Sequence, residues 1–340
     1  MFSYSDITQI TTRFLHPETP LDMVVEEARH LTRTIFSQQK SDSPHSYWQM
    51  RLFAPIYVSN FCMNQCLYCG FRGPGTIRRS HLSVTEVLTE AEVLMNRGFR
   101  SLLIVAGESP RVTPEYLSEI IARLVQQNGV PSVEIAPQPV ENYAKMVAAG
   151  CSGITLFQET YNRDLYQQYH PAGPKSDYDW RYGAIERAAE AGMPQLGFGF
   201  LLGLAADPRE ELIAMISQAS DLMKRFPDRN LGFSLPRLHA APNGFKPPFP
   251  VGDELFIRMY CTLRVIFPEA NLVLSTREKS ELRNQLASIC ITQMSAGSST
   301  APGGYTQRTE ISDPQFEITD ERSVTEVQNW LIRNGHHVIY

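Results

Sequence analysis

The sequence has 340 residues, of which 43% are hydrophobic and 20% are charged, a balance typical of a globular protein with a large core. The formal net charge of -5, without a basic run interleaved with aromatic residues, excludes nonspecific nucleic-acid binding as the main role. Its first residues show no cationic start followed by an apolar core, and no apolar run approaches the roughly 20 residues of a membrane span. We therefore expect a cytoplasmic protein, in which thiols stay reduced.

The predicted elements begin with a helix from Leu21 to about Gln39. After residue 50, short apolar runs alternate with amphipathic segments. We predict eight strands at Phe53–Ser59, Ser101–Ala106, Ser132–Ala136, Gly153–Phe157, Gln195–Leu202, Leu231–Leu235, Asn271–Leu274 and Ile289–Met294. The helices between them are predicted near Val84–Arg97, Pro114–Gln127, Val140–Ala149, Asp179–Ala191, Arg209–Arg225, Glu254–Phe267 and Glu278–Leu286. Three of these helices are followed by a glycine suited to a left-handed cap, at Gly98, Gly150 and Gly192.

Strict alternation of strand and helix predicts parallel pairing through helical crossovers. Eight such units predict an α/β fold, a complete (β/α)8 TIM-type barrel, with an open doubly wound sheet as the alternative. We assign residues 1–49 to an N-terminal helical extension, residues 50–305 to the barrel, and residues 306–340 to a short C-terminal tail. A last helix is predicted in this tail near Ser323–Asn334.

Three of the six cysteines, Cys62, Cys66 and Cys69, lie together just after the first predicted strand. In a barrel, the loops after the strands form the active face. An iron–sulfur cluster usually takes four cysteines, so a triad leaves one iron open, and S-adenosylmethionine (SAM) can chelate it through its amino and carboxylate groups. A structural zinc site needs four protein ligands, and neither His45 nor His81 shows the required spacing. The triad therefore predicts a radical SAM enzyme, and a non-catalytic metal-binding barrel or an electron-transfer protein is the alternative.

Several further motifs resemble the aromatic amino-acid lyase branch of the radical SAM enzymes. The branch includes the tyrosine lyases of thiazole biosynthesis (2-iminoacetate synthase) and of [FeFe]-hydrogenase maturation, and a tryptophan lyase. The resemblance runs from about residue 50 to residue 305, through the segments Cys62–Phe71, Gly107–Glu108, Leu156–Tyr161, His170–Lys175, Tyr178–Arg181, Leu274–Glu278, Met294–Ser298 and Pro302–Tyr305. No cysteine follows Cys290, so we do not expect the auxiliary C-terminal cluster of the hydrogenase-maturation enzyme.

The resemblance implies a complete barrel, a [4Fe–4S] cluster held by three cysteines, SAM, and a free amino acid held near the barrel axis. It implies cleavage of L-tyrosine to p-cresol and dehydroglycine, and tryptophan or another small amino acid is the alternative substrate. The chemistry also leads us to expect a flavodoxin or ferredoxin as reductant. A downstream biosynthetic protein that consumes the unstable imine is a further expected partner, whereas no nucleic-acid or membrane partner is expected.

Four residues are candidates for SAM binding, three at the ends of predicted strands or directly after them and one, Arg181, at the start of the helix before the fifth strand. Gly107 permits close backbone approach, and Glu108 can bind the SAM ammonium group. Glu159 can accept from both ribose hydroxyls, and a salt bridge in the barrel mouth is its alternative role. The resemblance assigns Arg181 to the SAM carboxylate, for which arginine is geometrically suited, against the alternative of an ordinary ion pair.

Two more candidates for the cofactor and three for the substrate complete the predicted site. Tyr68 would contact the adenine, and Gly199 would let SAM approach the fifth strand, with ordinary packing as the alternative for both. Arg277 would anchor the substrate carboxylate, and a polar network in the core is its alternative role. Ser295 would add a hydrogen bond, and Tyr57 would lie near the substrate amine or simply pack.

Overall fold

Eight parallel strands close into a barrel in the computed structural model, which describes residues 3–37, 48–239, 243–306 and 312–340. The first strand pairs in parallel with both the second and the eighth, so the predicted barrel is confirmed and the open sheet is wrong. The strands are β1 (Gln49–Ser59), β2 (Ser101–Ala106), β3 (Val130–Glu134), β4 (Gly153–Glu159), β5 (Gln195–Phe200), β6 (Asn230–Ser234), β7 (Asn271–Leu274) and β8 (Gln293–Ser295).

Helices connect these strands and precede the barrel. They are α1 (Tyr4–Leu15), α2 (Leu21–Phe36), α3 (Val84–Asn96), α4 (Pro114–Gln126), α5 (Val140–Ala148), α6 (Arg163–Tyr169), α7 (Tyr178–Tyr182), α8 (Ala184–Glu190), α9 (Pro208–Arg225), α10 (Asp253–Ile266), α11 (Ser280–Ala287) and α12 (Val324–Arg333). The helices α1 and α6 were not predicted, and the predicted helix Asp179–Ala191 is divided at Gly183 into α7 and α8. The predicted end of α2 at Gln39 lies outside the described residues.

Local sequence explains where the helices begin, end and face. In α4, the Thr113 side chain accepts from the Tyr116 amide and caps the first turn, and Leu117, Ile120 and Leu124 form a buried stripe against the barrel. The predicted glycine caps are confirmed, because Gly98, Gly150 and Gly192 have φ values of 102°, 99° and 91°. The helices thus cover the outside of the barrel with apolar faces. None of the described helices is long and apolar enough to cross a membrane.

The described part of the C-terminal segment adds to the barrel at two places. A short strand, β9 (His337–Ile339), pairs in parallel with the start of β1 and was not predicted. Residues 312–320 run across the open end of the barrel, where the Thr319 amide donates to the Thr276 carbonyl at 3.0 Å. We refer to residues 312–320 as the strap. The division of the chain at residues 50 and 305 remains a prediction.

Candidate active site

A cavity of about 400 Å³ runs along the inside of the barrel, from residues at the starts of the strands to residues at their carboxyl ends. Alternate residues of each strand face it, because successive side chains of a strand point to opposite faces. On β3, for example, Val130, Ser132 and Glu134 line the cavity, while Val133 is buried on the helical side. The strap contributes Gln315 and other residues to the cavity wall. The barrel therefore leaves a partly polar chamber under a cover made by the C-terminal segment.

The cysteine loop follows β1 and is held by backbone hydrogen bonds to other loops at the same end of the barrel. The amide of Met63 donates to the carbonyl of Glu108 at 2.8 Å, and that of Leu67 donates to Tyr169 at 3.1 Å. Gly70 lies so close to the strap that a Cβ atom there would be 2.4 Å from the Gln315 carbonyl oxygen. These contacts hold the loop that carries Cys62, Cys66 and Cys69 in one position beside the cavity.

The three thiols fit an iron–sulfur cluster. Burial raises the pKa of the Cys66 thiol to about 12 and also raises that of Cys69, so ionised sulfurs here need a bound cation. The Cys69 sulfur accepts from the Phe71 amide at 3.4 Å and from Gln315 Nε2 at 3.8 Å, contacts that suit a thiolate ligand. Among the residues described, no three histidine, cysteine or acidic side chains converge on a single metal ion. A cubane cluster binds each thiolate at a different iron, so it does not require three ligands to converge on one ion.

Gly107 and Glu108 lie directly against the cysteine loop. A Cβ atom at Gly107 would be 2.5 Å from the Phe61 carbonyl oxygen and 3.1 Å from Cys62 Cβ, so only glycine fits there without displacing the loop. The Glu108 carboxylate accepts from Asn64 Nδ2 at 2.7 Å. Both residues line a second cavity of about 200 Å³ beside Met63. The predicted pair is therefore brought next to the cysteine triad.

Glu159, at the end of β4, is at the centre of a buried charge cluster. Its Oε1 atom lies 2.6 Å from Lys175 Nζ and 3.4 Å from Arg181 Nη2, and Arg181 Nε donates to the Phe157 carbonyl at 2.7 Å. Burial would raise the pKa of Glu159, but the charges of Lys175 and Arg181 outweigh burial and hold that pKa below its usual value. Glu159 also has a φ of 73°, which is uncommon for a residue with a side chain and is typical of functional sites. The salt bridge weighed for Glu159 is present, and Lys175 was not among the predicted site residues.

Tyr68 lines the main cavity and is hydrogen bonded to His170. Its hydroxyl lies 2.8 Å from His170 Nε2, while His170 Nδ1 lies 2.7 Å from the Tyr166 carbonyl. Because a carbonyl oxygen can only accept, the His170 proton resides on Nδ1 and the Tyr68 hydroxyl donates to Nε2. Burial lowers the pKa of His170 to about 3, so this imidazole is neutral. One face of the Tyr68 ring is approached by Lys175 Nζ, 5.7 Å from the ring centroid.

Gly199 is placed by the structure in strand packing. A Cβ atom there would be 2.2 Å from the Ser234 carbonyl oxygen and 2.4 Å from the Phe157 ring. The neighbouring glycine of β5 that lines the main cavity is Gly197. The close approach that glycine permits at position 199 is therefore between parts of the protein, which favours the packing alternative.

The three predicted substrate residues all line the main cavity. The Tyr57 hydroxyl donates to Gln315 Oε1 at 2.9 Å, and Ser295 Oγ accepts from the Thr276 amide at 3.1 Å. The Arg277 guanidinium carbon lies 3.4 Å from the centroid of the Phe316 ring. Within the described part of the chain, no hydrogen bond or ion pair engages the Arg277 guanidinium. This leaves a cation facing the cavity with its hydrogen-bond donors free for an anionic group.

Three residues of the site were missed by the sequence analysis: Glu134, Lys175 and Gln315. One signal could have found Glu134, since it is a charged residue near the carboxyl end of an otherwise apolar predicted strand. No local pattern marks Gln315, because it reaches the cavity from a segment 246 residues after Cys69.

Comparison with known proteins agrees with this geometry. Residues 56–219 match the radical SAM superfamily, and residues 234–337 match the Biotin and Thiamin Synthesis associated domain. The 2-iminoacetate synthase of Salmonella typhimurium is 31% identical over 317 residues, covering 93% of this chain and 81% of that protein. The FeFe-hydrogenase maturase HydG from Carboxydothermus hydrogenoformans has a similar structure, with a TM-score of 0.87 and 33% identity, covering 99% of this chain and 76% of that chain.

These similarities set aside the alternatives of a non-catalytic metal-binding barrel and of an electron-transfer protein. The cysteine loop fits the cluster, and the neighbouring polar residues fit the cofactor that the superfamily shares. The chain belongs to the radical SAM superfamily, in the branch that includes 2-iminoacetate synthase and HydG, and is a radical lyase that uses a [4Fe–4S] cluster and SAM.

Proposed function

We propose that this enzyme cleaves free L-tyrosine into p-cresol and dehydroglycine. The observation that carries the proposal is the Arg277 guanidinium, which lies over the Phe316 ring and faces a cavity of about 400 Å³ without a hydrogen-bond or ion-pair partner among the described residues. A cavity of this size is typical of small-molecule sites, and a guanidinium with free hydrogen-bond donors in it suits the carboxylate of an amino acid. The 31% identity to 2-iminoacetate synthase over 93% of the chain supports the same substrate class.

In this proposal, Cys62, Cys66 and Cys69 hold the cluster and leave its fourth iron to SAM. When bound and reduced, the cluster and SAM supply a 5′-deoxyadenosyl radical. The cysteine loop orients this chemistry toward the cavity, because Cys69 itself lines the cavity wall. The closed barrel wall and the strap that runs across the end of the barrel limit the access of water to the reactive centre.

The residues around the cysteine loop would hold SAM by its polar groups. Glu108 binds the ammonium group, and Gly107 keeps the backbone close enough for that contact. Glu159 accepts from the ribose hydroxyls, and Arg181, whose Nη1 atom has no hydrogen bond to a described residue, binds the carboxylate. Tyr68 contacts the adenine.

The substrate would bind deeper in the barrel. Arg277 binds its α-carboxylate, Ser295 adds a hydrogen bond, and Tyr57 lies near the amine. Loss of a hydrogen atom from the amine would break the Cα–Cβ bond and leave dehydroglycine held by Arg277. The side chain would depart as a 4-hydroxybenzyl radical, which takes one electron from the reductant and one proton to become p-cresol. Because the same three residues would position any amino acid, the far end of the cavity selects the side chain.

Two partners follow from this chemistry. A low-potential reductant is required, and we propose a flavodoxin or a ferredoxin. Dehydroglycine is an imine that water hydrolyses, so we propose a biosynthetic protein that takes it up directly. We further propose a cytoplasmic location, because the cysteine triad has to remain reduced until the cluster is built.

The test is product analysis with the reconstituted enzyme. The protein is loaded anaerobically with iron and sulfide, reduced, and incubated with SAM and either tyrosine or tryptophan. We expect 5′-deoxyadenosine together with p-cresol from tyrosine, detected by mass spectrometry. Formation of 5′-deoxyadenosine without p-cresol would show that the radical chemistry is right and the substrate wrong. An indole product released from tryptophan would identify tryptophan as the substrate.

A further inference from the structure

Glu134 is a carboxylate inside the barrel that none of the roles above uses. It is the last residue of β3, and its side chain lines the main cavity. No hydrogen bond or ion pair joins its carboxylate to any residue that the structure describes. Burial raises the pKa of Glu134 to about 7, although the positive charge of Arg277 partly lowers it. Glu134 is therefore poised to exchange a proton near neutral pH.

Arg277 faces Glu134 across the barrel. The strands β3 and β7 are four positions apart in a ring of eight, so Glu134 and the residue group that follows β7 approach the axis from opposite sides. The two side chains influence each other's pKa, which places them within electrostatic range, yet they do not form an ion pair within 4.0 Å. Besides burial, the charges of Glu134 and Arg277 both act on the pKa of Tyr57, the first raising it and the second lowering it. A carboxylate and a guanidinium thus face each other across a gap. Neither has a hydrogen-bond or ion-pair partner among the described residues, although the guanidinium lies over the Phe316 ring.

This arrangement matches the head group of a free amino acid. An amino-acid zwitterion carries an ammonium and a carboxylate on the same carbon, so it fills a gap between a carboxylate and a guanidinium with two complementary contacts. Glu159, the carboxylate at the end of the next strand, is already paired with Lys175 and Arg181 and is less available. The phenol of tyrosine is at the opposite end of the molecule from the α-carboxylate that binds Arg277.

We propose that Glu134 and Arg277 together recognise the α-ammonium and α-carboxylate of the substrate, and that Glu134 accepts the ammonium proton. The carboxylate becomes a carboxylic acid, and the substrate becomes a neutral amine. The radical then removes a hydrogen atom from a neutral N–H group, which avoids leaving a second positive charge in a buried site. This inference rests on the proposed function only in that the substrate is a free amino acid.

The first test is equilibrium binding without turnover, using reconstituted enzyme with an oxidised cluster and SAM. The ligands are tyrosine, tyramine, which lacks the carboxylate, and 3-(4-hydroxyphenyl)propanoate, which lacks the ammonium. We expect Glu134→Gln to weaken tyrosine and tyramine by at least about tenfold, as expected when a charged hydrogen bond is lost. The propanoate should bind this variant equally or more tightly, because the opposing negative charge has been removed.

The variant Arg277→Gln should show the opposite pattern. It should weaken tyrosine and the propanoate and leave tyramine within about twofold. If Glu134→Gln weakened all three ligands by the same factor, or none of them, the proposal would be overturned. Ser132→Ala is the matched control, because Ser132 lies two residues before Glu134 on β3 and lines the same cavity. Slow formation of 5′-deoxyadenosine without substrate checks that each variant still folds around its cluster and SAM.

The second test is the pH dependence of kcat/KM. In the wild-type enzyme the reactive pair is ionised Glu134 with the ammonium form of the substrate, so kcat/KM rises through about pH 7 and falls as the free amine loses its proton. In Glu134→Gln only the neutral amine can react, so kcat/KM keeps rising into the alkaline range. A purely structural role would lower it by one factor at every pH. The other charged or titratable groups within electrostatic range of Glu134 are unchanged in this comparison: Tyr57, Glu159, Lys175, Arg181 and Arg277.

Failure of the substrate assignment is distinguishable from failure of this proposal. If the wild-type enzyme cleaves tryptophan in place of tyrosine, the binding series is repeated with tryptophan, tryptamine and indole-3-propanoate, since the head group is shared. If the wild-type enzyme bound the amino acid that it cleaves no more tightly than Glu134→Gln does, the role of Glu134 would be refuted whatever the substrate.

Discussion

The side chain of Gln315 donates through Nε2 to the sulfur of Cys69 at 3.8 Å. The same side chain accepts from the Tyr57 hydroxyl at 2.9 Å, so one amide connects a cluster ligand to the substrate cavity. Hydrogen bonds to cluster sulfurs stabilise the more negative, reduced state and raise the reduction potential. The strap therefore takes part in the electronic environment of the cluster as well as covering the cavity.

Replacing Gln315 should change the cluster potential. We expect Gln315→Leu to lower the midpoint potential of the cluster, because a donor to a thiolate is lost. The measurement is a redox titration followed by electron paramagnetic resonance of the reduced cluster. Thr319→Ala, at another cavity-facing position of the strap, is the control and should leave the potential unchanged. An unchanged potential in Gln315→Leu would contradict the role of this hydrogen bond.

Each cysteine of the triad should be required for the cluster. We expect Cys62→Ala, Cys66→Ala and Cys69→Ala each to lose the visible absorbance and most of the iron after reconstitution, since two thiolates do not hold a cubane cluster. Cys151→Ala is the control, because that thiol is buried elsewhere and contacts the Gly153 carbonyl at 3.4 Å. Iron and sulfide analysis of the purified variants gives the result. Full cluster content in any triad variant would remove that cysteine from the ligand set.

Gly107 should tolerate no side chain. In Gly107→Ala, the added Cβ would lie 2.5 Å from the Phe61 carbonyl oxygen, so the cysteine loop has to move. We expect reduced cluster retention and weaker SAM binding, measured by iron content and by calorimetric titration with SAM. Gly252→Ala is the matched control, because no atom beyond its chain neighbours lies within 4 Å of its Cβ position, and its iron content and SAM affinity should be unchanged. Normal SAM affinity in Gly107→Ala would contradict this prediction, because it would show that the cysteine loop can move without weakening SAM binding.

Lys175 should stabilise the fold through Glu159. We expect Lys175→Met to lower the free energy of unfolding by about 3 kcal/mol, the low end for one partner of a buried pair, because Arg181 still faces Glu159. Urea unfolding of the cluster-free protein measures this loss. Adding Glu159→Gln to Lys175→Met should restore part of it, since no unpaired carboxylate remains. An additive double variant would mean that the two residues are not coupled.

The same pair predicts a pH effect of known sign. The pKa of Glu159 is lowered in the folded protein, so its ionisation stabilises the fold above the unfolded pKa of 4.5, and this contribution is lost as the pH falls through the folded pKa. Lys175→Met should therefore lose less stability than wild type between neutral pH and acid. Unfolding curves at a series of pH values check the prediction, and parallel curves for both proteins would contradict it.

Much of this molecule is determined by local sequence. Apolar runs and amphipathic segments of the right length alternate eight times, and parallel strands joined by helices close into a barrel. The spacing of Cys62, Cys66 and Cys69 leaves one corner of a cluster open, and their place after β1 puts them on the active face. These features depend on residues close together in the chain, so periodicity and spacing were enough to predict them.

Tertiary structure alone decided which of these side chains meet. Gln315 reaches Tyr57 across 258 residues, and β9 joins β1 from the other end of the chain. Lys175 pairs with Glu159 because a loop folds back over the barrel mouth, and Glu134 faces Arg277 because β3 and β7 lie on opposite sides of a closed ring. Such contacts depend on the closure and stagger of the barrel and on the path of the strap. No local pattern encodes them, because each contact joins residues that belong to different periodic segments.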